Sequence, residues 1–218
     1  MFNLDANAAR SADNKSAFID EAGKYLGSFT RAEYMEKQDT GSTGIGFTYK
    51  TRDGAEAQFY LNLSYQHGTK NDGGHATLNA IMACMQVRTV AAPRPMEIEK
   101  WDKDAGQRLK VSVPSFPELV GKPIGLLLQM EIEKNSITGM ERPTIFAPFS
   151  AESEKTASEI LDSRNPAPAK LEKMVQQVMK KPVVDRRPKG QTSSSGGDHT
   201  SGNYDSAPPS DWDDIPFD

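Results

Sequence analysis

Three consecutive stretches alternate apolar and polar residues with period two, and each ends in turn chemistry. The first, Tyr25–Met35, sets Tyr25, Phe29, Arg31 and Met35 on one side and Leu26, Thr30, Ala32 and Tyr34 on the other. After the turn-forming Gln38–Gly44, the second sets Ile45, Phe47, Tyr49 and Thr51 against Gly46, Thr48, Lys50 and Arg52. Arg52-Asp53-Gly54 is a hairpin signal, and the third run sets Ala57, Phe59, Leu61, Leu63 and Tyr65 against Gln58, Tyr60, Asn62, Ser64 and Gln66. A strand exposes a hydrogen-bonding edge and one apolar face, so three in meander order predict a curled antiparallel sheet.

The remaining punctuation extends that plan. Asp13 and Asn14 are placed to cap a short helix through Ala17, Phe18 and Ile19. The glycine-rich bend His67–His75 precedes a helical period from Ala76, with Leu78, Ile81, Met82 and Met85 on one face and Cys84 beside them. Residues 90–117 read as a β-hairpin insertion, strand-like over Met96–Trp101 and Arg108–Val113. Pro123–Glu133 is a strong strand pattern, with Ile124, Leu126, Leu128, Met130 and Ile132 together, and Ile145–Phe146 adds a short last strand. Ser150–Ser163 reads as a helix with Glu152 and Glu154 in its first turn. Ala169–Lys181 repeats Leu171, Met174, Val175 and Val178 at helical spacing. That helix either packs back on the sheet or pairs with a copy of itself, which leaves a homo-oligomer open.

Three strands, a helix and further strands are the order of an OB-fold, a partly open antiparallel five-stranded Greek-key barrel. The predicted fold class is mainly β with helices: an OB-fold, C-terminal helices and a disordered acidic tail. The predicted division is 1–149 for the barrel, 150–183 for a helical segment, 184–209 for a disordered linker and 210–218 for an acidic tip. From Val184 the composition shifts to Ser, Gly, Pro and Asp, which bury too little apolar surface to offset ordering entropy.

Charge and cysteine bound the chemistry. The chain has 26 Lys and Arg against 30 Asp and Glu. Residues 185–218 hold three of the bases and seven of the acids, so residues 1–184 balance at 23 of each. Acidity belongs to the tail; a neutral body can still carry a basic groove, though composition does not show one, and a pI near 5.5 argues against indiscriminate polyanion binding. The single Cys84 excludes an internal disulfide and suits a reducing compartment. Without a basic start followed by an apolar core, or an apolar run of about 18 residues, the reading is cytoplasmic, with no membrane partner.

The last residues, Ser210-Asp211-Trp212-Asp213-Asp214-Ile215-Pro216-Phe217-Asp218, join acids to a compact Ile-Pro-Phe knob. They resemble the C-terminal tip of bacterial single-stranded-DNA-binding proteins, matching at Asp213, Asp214, Ile215, Pro216 and Phe217. In that family the tip recruits replication, recombination and repair enzymes, and an OB-fold ahead of it holds the DNA. Asp218 is the departure, because the family ends on Phe; it either keeps a carboxylate nearby or weakens docking. The body is similar, more loosely, to phage-encoded single-strand-binding proteins. The shared features are Gly23-Lys24-Tyr25, the three-strand start and Leu119-Val120-Gly121-Lys122. Partner binding is accordingly expected at Asp211, Trp212, Asp213, Asp214, Ile215, Pro216 and Phe217.

Holding a single strand without reading its sequence requires cations along the phosphates and aromatic faces for the bases. The strand candidates are Tyr34, Lys50, Arg52 and Tyr60; the loop candidates are Lys37, Lys70, Arg88, Trp101, Lys103, Arg108 and Lys110, with Lys100 beside Trp101. Phe47, Tyr49 and Phe59 read as core. No cofactor, metal site or enzyme is expected. Gly41–Gly46 lacks the Gly-Lys-Ser/Thr ending of a phosphate loop, His67, His75 and Cys84 lack metal-ligand spacing, and Glu131 and Glu133 read as a solvated face. Two other readings fit the same residues: an adaptor whose tip occupies a host repair-protein pocket without binding DNA, and a single-strand annealing protein.

Overall fold

One long strand, β1 (Gly23–Glu36), organises the sheet. A computed structural model describes residues 18–102 and 106–188, without the side chains of Trp101, Asp102 and Arg108. β1 pairs along its length with β2 (Thr43–Thr51), which pairs with β3 (Glu56–Ser64), all antiparallel. Its other edge is shared: Gly23–Ser28 pair with β6 (Pro123–Ile132), whereas Glu33 pairs with Ser115 at the end of β5 (Gln107–Ser115). β5 forms a hairpin with β4 (Arg94–Asp102), and β6 pairs with β7 (Glu141–Phe149).

The fork coincides with a bulge. The β1–β2 register shifts between Phe29 and Arg31, leaving Thr30 as the extra residue. Phe29 and Ala32 consequently both enter the core, and strict alternation along Tyr25–Met35 does not hold. The segment between β5 and β6 fills the fork, with Phe116 N–H donating to Ala32 O and Gly121 N–H to Phe29 O.

Aromatic residues of three strands meet in the core. The Phe29 ring lies 4.4 Å from Phe47 and 5.7 Å from Tyr49, and Tyr49 lies 6.5 Å from Phe59. A buried phenol needs partners, and Tyr49 Oη donates to the carbonyls of Tyr25 (3.1 Å) and Ile124 (3.2 Å). Helix α1 (Asp72–Cys84) covers this core with Ile81 and Cys84. It begins four residues before the expected Ala76 because Asn71 caps it, accepting from Gly74 N–H at 3.2 Å. β3 and β7 approach with no hydrogen-bonded ladder between them among the described residues, so the curled antiparallel sheet is partly open.

A second apolar layer lies outside the sheet. Helix α3 (Lys170–Lys180) buries Leu171 and Val178 against Leu127, Ala147 and Phe149, with Leu26, Met174 and Val175 alongside. The amphipathic helix therefore packs back on the body. A short strand, β8 (Val183–Asp185), adds in parallel to β6, and Arg186 pairs with Glu131.

Several expectations are corrected. Phe18 bridges Glu56 in extended backbone and Ile19 is buried, so neither ends a helix; residues 13–17 lie outside the described residues. Ser150–Ser163 is not one helix: Ser150–Glu154 turns back on itself, Glu154 adopts φ 55°, and only Ala157–Ile160 (α2) is helical. The strand expected at Ile145–Phe146 is β7, nine residues long, and Val184 and Asp185 belong to β8, not to the linker.

Candidate nucleic-acid interface

The bulge opens a groove of about 300 Å³ on the sheet surface, lined by Gly27, Ser28, Thr30, Lys50, Thr51, Arg52, Gly121 and Pro123. Its floor exists because Gly27 lacks a side chain: a β-carbon there would stand 2.1 Å from the Lys50 carbonyl oxygen. Lys50 and Arg52 are both exposed. The Lys50 ammonium lies 3.1 Å from Glu56, whereas Arg52 has no ion-pair partner among the described residues. Its backbone N–H donates to Leu26 O, which fixes the start of the side chain across the β1–β2 ladder. Lys122, between two lining residues, is exposed and also has no ion-pair partner among the described residues. The groove therefore gathers cations and hydroxyls on an open, shallow surface, which suits a backbone passing over it better than an enclosed small molecule.

The other candidates are dispersed. Lys37 is half-buried in the β1–β2 turn, Lys70 pairs with Asp72 at 3.0 Å before α1, and Arg88 is exposed after it. Lys110 is exposed on β5, in register with Glu99. Trp101 and Arg108 are register partners in the hairpin, but their side chains lie outside the described residues, as do Lys103 and the tip Asp211–Phe217.

Tyr34 is corrected. It belongs to the core side of β1, its ring edge-on to Phe116 at 6.3 Å, because the bulge reverses inside and outside beyond Thr30. Burial and neighbouring Glu36 raise its phenol above the ordinary range. Tyr60 is half-buried, and its ring lies where a β-carbon on Gly44 would be, 2.6 Å from the ring's Cζ. Cys84 is a core thiol, pushed up to about 12 by burial.

One cluster was not anticipated from the sequence. On the β1 face opposite the core, the Glu33 carboxylate accepts from Arg31 Nε at 2.8 Å and from Arg31 Nη2, and its other oxygen accepts from Lys100 Nζ at 2.9 Å. Arg31 and Glu33 are both buried, at 9 % and 5 % exposure. The Arg-x-Glu spacing was the available signal, since residues two apart share a strand face. Its third member sits 67 positions away, which no local pattern reveals.

In comparison with known proteins, no family model matches the chain and no curated sequence is similar to it.

Proposed function

We propose that this chain binds single-stranded DNA largely without regard to sequence, using an OB-type barrel, and recruits partner proteins through its acidic Ile-Pro-Phe tip. The observation that carries the reading is the path β3-β2-β1-β6-β7, with β1 shared between two neighbours and α1 between β3 and the later strands. That is the strand order of an OB-fold carrying one inserted hairpin, β4–β5. The groove beside the bulge supports it, bringing Lys50 and Arg52, on the outer side of β2 and in the following turn, onto one open surface. Phosphates would follow these cations, and any stacking would come from aromatic residues near them. The tip supplies the recruiting half by its resemblance to the bacterial family.

A second reading, the adaptor without DNA binding, draws on a different observation. Many cations of the body are already committed internally, as in Lys24–Glu154, Lys70–Asp72, Arg94–Glu118 and Arg186–Glu131. One experiment separates the two. Fluorescence anisotropy of a labelled oligothymidylate, titrated with the full chain over a range of salt concentrations, should give saturable binding that weakens linearly on a log–log salt plot. Absence of binding at low salt would leave the adaptor.

A further inference from the structure

We propose that the β4–β5 hairpin is a strap fastened by Glu33. In the unliganded chain Glu33 holds Lys100, and in the complex a DNA phosphodiester replaces the carboxylate on the Lys100 ammonium. The inference rests on the single-stranded-DNA reading above and names a second phosphate site within it.

Among the described residues, two contacts that fix the strap to β1 converge on one residue. Its base is joined through the backbone register pair of Glu33 with Ser115, and its arm through the 2.9 Å contact of Lys100 Nζ with the Glu33 carboxylate. β4 pairs with β5 on one side and has no strand on the other among the described residues. Lys100 lies well along the arm from Arg94, the register partner of Ser115, so the arm bends back over the β1 face that bears Arg31 and Glu33.

The chemistry makes this contact exchangeable. The Lys100 side chain is 29 % exposed although Glu33 is buried, so solvent and a ligand can reach the ammonium from its own side. A phosphodiester presents the same acceptor to an ammonium as a carboxylate, and a polymer presents many of them. Departure of Lys100 does not strand a bare buried carboxylate, because Arg31 stays on the other oxygen through Nε and Nη2. Lys110, exposed on β5, offers a further cation along the same hairpin.

The test measures oligothymidylate binding across salt for the full chain and its Lys100→Met, Glu33→Gln and Glu33→Gln/Lys100→Met variants. Lys100→Met should weaken binding and reduce the log–log salt slope by about 0.7, the single-strand increment for one phosphate. Glu33→Gln should tighten binding about fivefold, equivalent to about 1 kcal/mol, by releasing Lys100. That gain should vanish in the double variant. An unchanged slope for Lys100→Met, or a Glu33→Gln gain that persists without Lys100, overturns the proposal. If thermal unfolding shows Glu33→Gln does not fold, the Lys100→Met slope decides alone, since that variant retains the Arg31–Glu33 pair. A wild-type chain that ignores the oligonucleotide overturns the functional reading and this inference with it; a binding wild type with indifferent variants overturns only the strap.

Discussion

Phe149 occupies the space that a β-carbon on Gly125 would need, its ring standing 2.1 Å from that position. The two are register partners on β7 and β6, and Phe149 is fully buried beneath α3. Gly125→Ala should therefore displace Phe149 and loosen the outer layer, lowering stability by about 1–3 kcal/mol, as overpacking does. A urea midpoint indistinguishable from wild type would show that the layer yields without cost.

Lys50 and Arg52 share the groove beside the bulge, and the functional reading assigns both to phosphates. Lys50→Ala/Arg52→Ala should weaken oligonucleotide binding about equally for all sequences and flatten the salt slope by about 1.4, twice the single-strand increment. Anisotropy titrations on several homopolymers check both features, and an unchanged slope would place the phosphate path elsewhere.

Tyr34 and Tyr60 should separate packing from binding. Tyr34 packs edge-on against Phe116, so Tyr34→Ala should cost about 1–3 kcal/mol of stability while sparing the affinity of the folded fraction. Tyr60 lies on β3 and is half-buried, so Tyr60→Ala should reduce affinity by up to the stacking increment of about 1–3 kcal/mol. Chemical denaturation alongside anisotropy distinguishes the two effects.

Glu159 ties α2 to α3. Its carboxylate accepts from Thr156 N–H (2.9 Å) and Oγ1 (2.8 Å) and from the N–H groups of Ala169 and Lys170, both at 2.9 Å. Burial works to raise its pKa, but these hydrogen bonds from Thr156, Ala169 and Lys170 prevail and hold it at about 2. A carboxyl lowered in the folded state stabilises fully above its unfolded value near 4.5, and this contribution is lost as pH falls toward 2. Wild type should lose stability across that window, and Glu159→Gln should lose less there while being weaker at neutral pH by about 1–3 kcal/mol. Urea midpoints between about pH 6 and pH 2 would reveal parallel curves if Glu159 were not the group responsible.

The tip gives a sequence-based expectation. Deleting Asp211–Asp218 should leave oligonucleotide affinity unchanged or raise it, most at low salt, because its acids mimic phosphate. Phe217→Ala should abolish pull-down of partner proteins and spare DNA binding. A large loss of affinity on deletion would mean the tip contributes to the grip.

The strands that alternate cleanly were legible: β2, β3 and β6 lie where their period-two patterns place them. β7 was nearly invisible because Pro143 and Pro148 read as strand breakers. It tolerates them because it ladders on one side, to β6, so a missing N–H need not face a partner on the other. Ser150–Ser163 has helical composition, yet backbone bonds between Ser150, Glu154 and Lys155 close a turn instead. At the candidate site, the outward set of β2 was readable from alternation, whereas the packing of half-buried Tyr34 on the core side was not, because one inserted residue changes which side it faces. The Glu33–Lys100 contact depends on how the hairpin arm bends, which is decided by tertiary packing rather than by any local pattern.

Thr30 sets the parity of β1. Residues before it keep one odd–even assignment of oily and watery sides, and residues after it keep the reverse. Flattening the bulge with Thr30 kept in the ladder would turn Arg31 and Glu33 toward the aromatic interior and swing Tyr34 out to solvent. Deleting Thr30 should leave every later side chain on its present side, since Arg31 would then follow Phe29 in plain alternation; what it would remove is the kink itself and the groove beside it.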